Sequence, residues 1–392
     1  MTTDYTVVGT NIVNLYINLK KHPSGAFYFR KKAISKKNDI QQLLYIVLFR
    51  YNVFREYRMR SLQDTKFSIL ELAPIRDDKT IEFSLRHALE LAQHAEKLGY
   101  DRFWLAEHHN MDGIASSATA VLLGFIAAHT QRIRLGSGGI MLPNHAPLVV
   151  AEQFGTLATL YPDRIELGLG RAPGTDQVTM RALRRGHQET EDQFPRDVVE
   201  ILQYFKAPQV GQKIIATPGQ NTHVPVWLLG SSLFSAQLAA KLGLPYSFAS
   251  HFAPRMLGQA IELYRENFEP SEYLDKPYVS MGVPVVVAST DEEAQFLATS
   301  AYQRVLGLIR GESLKLKPPV TSMQGLWNTA EQLSVENFYT MAQIGSVETV
   351  RSGLQKLLDT YEVDEFIFTC DVYDTAKRLD SFTQLMQVKS GN

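Results

Sequence analysis

The sequence predicts one (β/α)8 TIM barrel with insertions, an α/β fold. Eight short apolar runs recur along residues 59–392, and each is followed by a segment with helical periodicity. The connections between successive runs are too long for hairpins, which favours parallel strands. Titratable or glycine-rich segments directly follow several runs, as expected where the carboxyl ends of barrel strands carry a site.

The strands are predicted from short apolar runs that stop at turn residues or at polar clusters. The first run, Phe-Ser-Ile-Leu-Glu-Leu, ends at Ala73-Pro74, and the second, Phe-Trp-Leu, is soon followed by Glu107. In chain order, the predicted strands are 67–72, 102–105, 132–141, 163–169, 226–229, 245–250, 278–288 and 365–370.

The helices are predicted from apolar residues three or four positions apart. Residues 80–98 have this spacing, and Gly99 is placed to end the helix in the left-handed conformation. Pro147 suits the first turn of a helix, because its missing N–H is not needed there. The predicted helices are 80–98, 115–130, 148–160, 179–205, a segment ending at 242, 254–267, a segment beginning at 291, 346–360 and 375–388.

The composition is that of a globular protein. The 392 residues are 45% apolar and 21% charged, and the formal net charge is −1. The single cysteine, Cys370, cannot form an internal disulfide, so we expect a reducing, cytoplasmic setting. The apolar run 43–49 is far below the roughly 18 residues needed to span a bilayer. We therefore expect no membrane association.

The first 58 residues differ from the rest of the chain. They contain ten Lys or Arg and three acidic residues, a net charge of +7, without a clear helical or strand period. A basic arm for nucleic acid is one interpretation. We prefer an appended, poorly ordered extension over residues 1–58, with the working domain over 59–392 and no nucleic-acid partner.

Three titratable residues follow the second strand. Glu107, His108 and His109 stand just past its end, where a barrel places catalytic groups. An ordinary polar loop is the alternative, and it would be preferred for one histidine alone. A catalytic metal held by the three side chains is a further alternative. Adjacent side chains of an extended segment point in opposite directions, so we expect no metal.

Glycines mark the third strand as a surface for a ligand. Gly136, Gly138 and Gly139 weaken a strand, but they allow a flat ligand to lie against bare main chain. A bulge of the barrel is the alternative explanation.

The residues that follow two further strands could bind an anion. Arg171 follows the fourth strand among glycines, and Gly230-Ser231-Ser232 follows the fifth strand at the start of a helix. A serine that only caps its helix is the alternative. A pairing of these serines with Arg171 would make a phosphate cradle.

The segment 308–327 has no clear period. Long irregular segments in compact domains are often functional, so we interpret it as a mobile lid. No Gly-x-Gly-x-x-Gly fingerprint of a nicotinamide site precedes it.

Taken together, residues 67–388 resemble the bacterial luciferase-like monooxygenases, a family of flavin-dependent barrels. The resemblance is carried by five motifs that occur in order along the barrel: Trp-Leu-Ala-Glu-His-His (104–109), Leu-Gly-Ser-Gly-Gly-Ile-Met-Leu-Pro (135–143), Gly-Leu-Gly-Arg (168–171), Pro-Val-Trp-Leu-Leu-Gly-Ser-Ser (225–232) and Val-Asp-Glu-Phe-Ile-Phe (363–368).

The resemblance implies roles for the matching residues. His108, with Glu107 beside it, matches the catalytic acid/base near the reactive edge of the flavin. The run Ser137-Gly138-Gly139 matches the stretch with a non-prolyl cis peptide under the flavin ring. Arg171 and Gly230-Ser231-Ser232 match the cradle for the FMN phosphate.

The implied function is an FMN-dependent monooxygenase. It would use O2 and reduced FMN, through a flavin hydroperoxide, to oxidise a small aldehyde, ketone or alkane. The resemblance also implies a separate flavin reductase and a homodimer. Two alternatives stay open: an F420-dependent hydride-transfer oxidoreductase of the same superfamily, and a flavin-binding protein without catalysis.

Overall fold

The computed structural model of the protein describes residues 60–172, 174–183 and 193–391, together with two short strands near the N-terminus. The chain divides into two units, residues 1–59 and 60–392. In the first unit, Lys20–Lys21 pairs antiparallel with Phe27–Tyr28. The predicted disorder of residues 1–58 otherwise concerns residues outside the described part of the chain.

Eight parallel strands of the second unit close into a barrel. Each strand pairs with the next in sequence, and the eighth pairs with both the seventh and the first. A three-residue strand, Gln343–Gly345, extends the sheet beside the seventh strand. The barrel strands are β1 (Lys66–Glu71), β2 (Arg102–Leu105), β3 (Arg134–Met141), β4 (Ile165–Gly170), β5 (Val226–Gly230), β6 (Tyr246–Phe248), β7 (Val279–Val287) and β8 (Glu365–Thr369).

Helices follow the strands, as predicted, and the (β/α)8 fold class is confirmed. The helices are α1 (Ile81–Leu98), α2 (Thr119–Ala127), α3 (Pro147–Leu160), α4 (Gln177–Leu183), α5 (Gln193–Tyr204), α6 (Leu233–Leu242), α7 (Leu257–Glu266), α8 (Asp291–Arg310), α9 (Thr329–Phe338), α10 (Val347–Tyr361) and α11 (Thr375–Ser390). None of the described helices is long and apolar enough to cross a membrane.

Local sequence explains several helix ends. The Thr80 side chain accepts a hydrogen bond from the Phe83 N–H, and Gly99 ends α1 with a φ of 83°. Helix α9 was not predicted, although its signal is present in the sequence. Asn328 and Glu331 form a capping box at its start.

The expected lid differs from its predicted bounds. Its first three residues, 308–310, belong to α8, and the irregular part begins at Gly311. The Asp112 carboxylate accepts hydrogen bonds from the Ser313 hydroxyl and the Leu314 N–H. The Leu316 N–H donates to the Ile75 carbonyl. The segment is therefore held against the loops that follow β1 and β2, and its mobility stays a prediction.

Alternation along the strands divides the core into two layers. Phe103 and Leu105 pack outward against the helices, whereas Trp104 lies in a separate apolar cluster with Leu70 and Trp227 inside the barrel. The indole rings of Trp104 and Trp227 pack edge to face, with their centres 5.1 Å apart. These large side chains fill the middle of the barrel.

A buried ion cluster occupies the amino-terminal end of the barrel interior. The Arg102 guanidinium donates to the carboxylates of Glu166 and Glu365. The Tyr278 hydroxyl also donates to Glu365, at 2.8 Å. Because the cluster and the indole rings fill these two levels, a ligand cavity is expected at the carboxyl ends of the strands.

Candidate active site

A cavity of about 540 Å³ opens at the carboxyl ends of the strands. Leucine, isoleucine and tryptophan side chains form its apolar wall, including Leu70, Trp104 and Ile367. Seven of the nine residues predicted for the site line this cavity: His108, Gly138, Gly139, Arg171, Gly230, Ser231 and Ser232. Motifs separated by more than 100 residues therefore meet at one place.

A larger cavity of about 860 Å³ lies elsewhere, beside Pro254–Met256, α9 and α10. It contains Arg255 and Tyr361 but is lined by no histidine or carboxylate. The smaller cavity combines convergent polar groups with an apolar wall, so we assign the candidate site to it.

His108 presents a basic nitrogen at this cavity. Its Nδ1 lies 3.4 Å from the Gly174 carbonyl oxygen, which can only accept a hydrogen bond, so the ring proton belongs on Nδ1 and the lone pair on Nε2. Burial lowers the pKa of His108, and nearby Arg304 lowers it further. The imidazole is therefore neutral at pH 7, and Nε2 can accept a proton.

Glu107 lies behind the cavity wall and is buried. One carboxylate oxygen is 2.9 Å from Nε2 of His109 and 2.8 Å from Nε2 of His145, and the other accepts from the Met141 N–H. Burial raises the pKa of Glu107, but these hydrogen bonds outweigh it and the pKa is lowered. In this structure Glu107 supports the loop that carries His108, and its catalytic role stays a prediction.

Glu107, His109 and His145 also form a potential set of three metal ligands. The set differs from the alternative raised from sequence, because it includes His145 and leaves out His108. The distances of 2.8 and 2.9 Å from Glu107 to the two imidazoles are those of hydrogen bonds.

The glycine run of β3 forms part of the cavity wall. The Gly138–Gly139 peptide bond is cis, as the resemblance implied. A Cβ atom on Gly138 would lie 2.6 Å from a methyl carbon of Leu70, and one on Gly139 would lie 2.8 Å from the Gly168 carbonyl oxygen. The main chain is therefore bare where it meets the cavity.

Ser137 does not line the cavity. Its hydroxyl donates to the Gly168 carbonyl at 2.8 Å and accepts from the Gly168 N–H at 3.0 Å. The residue is fully buried. In this structure Ser137 joins β3 and β4 beside the glycine run, and its contact with the cofactor stays a prediction.

The predicted anion cradle comes together at the other side of the cavity. Arg171 is exposed, stacks on the Phe234 ring at 4.3 Å, and has no carboxylate partner among the described residues. Ser232 precedes α6, but its side chain makes no capping hydrogen bond. Arg171, Ser231 and Ser232 thus present a cation and two hydroxyls beside a helix N-terminus.

Sequence reasoning missed two histidines of this region. His145 completes the Glu107 cluster from the short turn after β3. His251 lines the cavity after β6. A signal existed for His251, because it directly follows the predicted strand 245–250. It belongs to none of the five motifs, however, and was not considered. His145 had no local signal, since its contact to Glu107 is tertiary.

Comparison with known proteins identifies the class to which this barrel belongs. The sequence model of the luciferase-like monooxygenases matches residues 65–361. The chain therefore belongs to the luciferase-like monooxygenase family, and the resemblance stated from its motifs is confirmed.

Two relatives show how far the similarity extends. The chain is 52% identical over 323 residues to a luciferase-like monooxygenase of Escherichia coli K12, covering 82% of this chain and 96% of the relative. It is 32% identical over 336 residues to the N-acetyl-S-alkylcysteine monooxygenase of Bacillus subtilis, covering 82% and 97%.

Solved structures share the fold. Apo-MsnO8 is 35% identical, with a TM-score of 0.78 over 83% of this chain and 98% of that chain. The oxygenating component of 3,6-diketocamphane monooxygenase from Pseudomonas putida, in complex with FMN, is 15% identical, with a TM-score of 0.61 over 84% and 99%. An F420-dependent secondary alcohol dehydrogenase is 16% identical, with a TM-score of 0.61 over 83% and 99%. The last two likenesses concern the fold alone.

Proposed function

We propose that this protein is a monooxygenase that uses reduced FMN and O2 to oxidise a small organic substrate in the 540 Å³ cavity. The observation that carries the proposal is the convergence of three features on one cavity. These are the bare main chain of Gly138 and Gly139, the cradle formed by Arg171, Ser231 and Ser232, and the neutral imidazole of His108.

The residues present fit an FMN molecule. Arg171 would pair with the phosphate, and the start of α6 with Ser231 and Ser232 would donate further hydrogen bonds to it. The flat ring system would lie against the main chain of Gly138 and Gly139, where Leu70 and the Gly168 carbonyl leave no room for a side chain.

Reduced FMN, when bound, supplies the electrons that activate O2, and the protein supplies the surroundings. Trp104, Leu70 and Ile367 exclude water from the reacting atoms. His108 is neutral, so its Nε2 can take a proton from a reacting group and return it later in the cycle. Glu107 holds the loop of that histidine in place through its bonds to His109 and to the Met141 N–H.

The proposal extends to substrates and partners. Small aldehydes, ketones and alkanes are the expected substrate classes, and the Bacillus subtilis relative adds N-acetyl-S-alkylcysteines to the compounds worth testing. We also propose a separate flavin reductase, a homodimer and a cytoplasmic location.

The phosphate cradle is tested by comparing FMN with riboflavin. We expect Arg171→Ala to raise the Kd of FMN about 10- to 100-fold, since a hydrogen bond to a charged group contributes about 1.5–3 kcal/mol. The Kd of riboflavin, which has no phosphate, should stay within about twofold. Arg181→Ala removes another exposed arginine from nearby α4 and is the matched control.

The reaction is tested by mixing the protein and reduced FMN with ¹⁸O2 and a panel of the proposed substrates. Incorporation of ¹⁸O into a product supports the monooxygenase. Binding of F420 with hydride transfer would replace it with the oxidoreductase alternative, and flavin binding without turnover would favour the silent binder. No binding of either cofactor would overturn the proposal.

A further inference from the structure

A second imidazole, that of His251, lines the cavity. The proposed function gives it no role. It follows β6 and lines the cavity together with His108. Burial lowers its pKa to about 4, and the neighbouring His108 contributes to this shift. His251 therefore carries no charge at pH 7. Its ring packs edge to face on Phe252, with ring centres 4.9 Å apart.

The surroundings of its two nitrogens decide where the ring proton is. Nδ1 is enclosed and has no hydrogen-bond partner among the described residues. It faces the main chain of Gly282 on β7, where a Cβ atom would lie 2.1 Å from it. Buried N–H groups without a partner are rarer than acceptors without one. The favoured tautomer therefore leaves the lone pair on Nδ1 and carries the proton on Nε2.

His251 lines the cavity, and its Nε2–H group is the one left available to a ligand there. Nδ1 is enclosed against Gly282, and Nε2 is the ring nitrogen that is not enclosed. His108 has the opposite arrangement, since its Nδ1 faces the Gly174 carbonyl and its Nε2 bears the lone pair. The cavity thus contains one imidazole that donates and one that accepts.

We propose that the Nε2–H group of His251 binds a carbonyl oxygen of the substrate and so favours carbonyl compounds over hydrocarbons of the same shape. This inference rests on the proposed function. A carbonyl oxygen only accepts hydrogen bonds, so His251 can hold it and His108 cannot. A neutral donor suits the apolar wall, because it binds the oxygen without bringing a buried charge into the cavity.

The tautomer is tested by NMR of the full chain labelled with ¹⁵N-histidine, without and with oxidised FMN at pH 7. His251→Gln assigns the signal. We expect the shifts of a neutral ring with the proton on Nε2. A proton on Nδ1, or a charged ring, would overturn the inference even if FMN binds and turnover is observed.

The ligand is tested with acetophenone and with α-methylstyrene, which has nearly the same shape but a CH2 group in place of the oxygen. We expect the FMN complex to prefer acetophenone about three- to tenfold, the effect of one neutral hydrogen bond. His251→Leu should abolish this preference. His251→Gln, whose amide N–H can reach a similar position, should retain much of it.

Two outcomes would contradict the carbonyl contact. If His251→Leu keeps the acetophenone preference, another group holds the oxygen. If it weakens FMN binding and leaves the preference unchanged, His251 contacts the cofactor. Failure of the wild-type protein to bind FMN would instead count against the proposed function, and the NMR result would still report the tautomer.

Discussion

The two ends of the barrel interior both hold buried titratable groups, but they use them differently. At the amino-terminal end, Arg102 is bonded to two carboxylates, and the cluster is enclosed. At the carboxyl end, His108 and His251 face a cavity, and each has a ring nitrogen available for a ligand. Burial alone therefore does not mark a functional group. What distinguishes the two histidines is that each lines a cavity that can admit a ligand.

A substitution in the ion cluster at the amino-terminal end should lower stability without changing FMN binding. Arg102→Met should cost about 3–5 kcal/mol of unfolding free energy, because it leaves the carboxylates of Glu166 and Glu365 buried without their cation. Urea denaturation measures this cost. The fraction that remains folded should bind FMN with the wild-type Kd.

Arg134→Met is the matched control for that experiment. Arg134 lies 3.6 Å from the same Glu166, but its side chain is 52% exposed. Its removal should therefore change the unfolding free energy by less than about 1 kcal/mol. An equal loss of unfolding free energy in both variants would mean that burial does not determine how much the ion cluster stabilises the fold.

The carboxyl end should behave in the opposite way. His108→Asn should lower turnover at least about 100-fold, since it removes the proposed base, and should change the unfolding free energy by less than about 1 kcal/mol. Asparagine keeps an N–H group near the position of Nδ1, which faces the Gly174 carbonyl. Single-turnover kinetics with reduced FMN measure the loss, and exposed His129→Asn serves as control. Unchanged turnover would remove His108 from the chemistry.

Local signals explain what the sequence could predict. Gly99 and Thr80 act through the residues beside them, and the Glu-His-His run stands directly after its strand, so a linear reading finds these features. The contact of His145 with Glu107 depends on the turn after a different strand, and no spacing rule contains it. His145 thus could not be found without a tertiary contact, whereas the capping box of α9 is local and could have been.

Ser137 shows what a linear motif does not contain, namely the side of the sheet to which a strand residue points. Leu105 pairs with Ser137 and packs outward, whereas Trp104 pairs with Gly136 and lies inside the barrel. Residues paired across parallel strands share a side of the sheet. The register therefore places Ser137 away from the interior, and only the structure supplies that register.

Glu107 supports the loop of the candidate site, and its contribution to the unfolding free energy should depend on pH. Glu107→Gln should cost about 2–3 kcal/mol at pH 7, because one amide oxygen cannot replace a carboxylate that accepts from His109, His145 and Met141. The folded-state pKa of Glu107 is lowered from its ordinary value of 4.5. Its contribution is therefore complete above 4.5 and is lost as the pH falls through the lower folded value.

The measurement is urea denaturation of both proteins at pH 7 and pH 3. The stability difference between wild type and Glu107→Gln should shrink at the lower pH. A difference that is independent of pH would mean that Glu107 acts as an uncharged hydrogen-bonding group, in conflict with the lowered pKa.

The smallest expected effect separates the two roles considered for Ser137. Ser137→Ala should cost about 1–2 kcal/mol, because it removes both hydrogen bonds to Gly168 between β3 and β4. The Kd of FMN should rise by less than about threefold, since the hydroxyl lies behind the cavity wall. Ser250→Ala removes one buried bond of the same type, to the Gly282 carbonyl, and should cost less. Loss of FMN affinity without loss of stability would restore the cofactor contact expected from sequence.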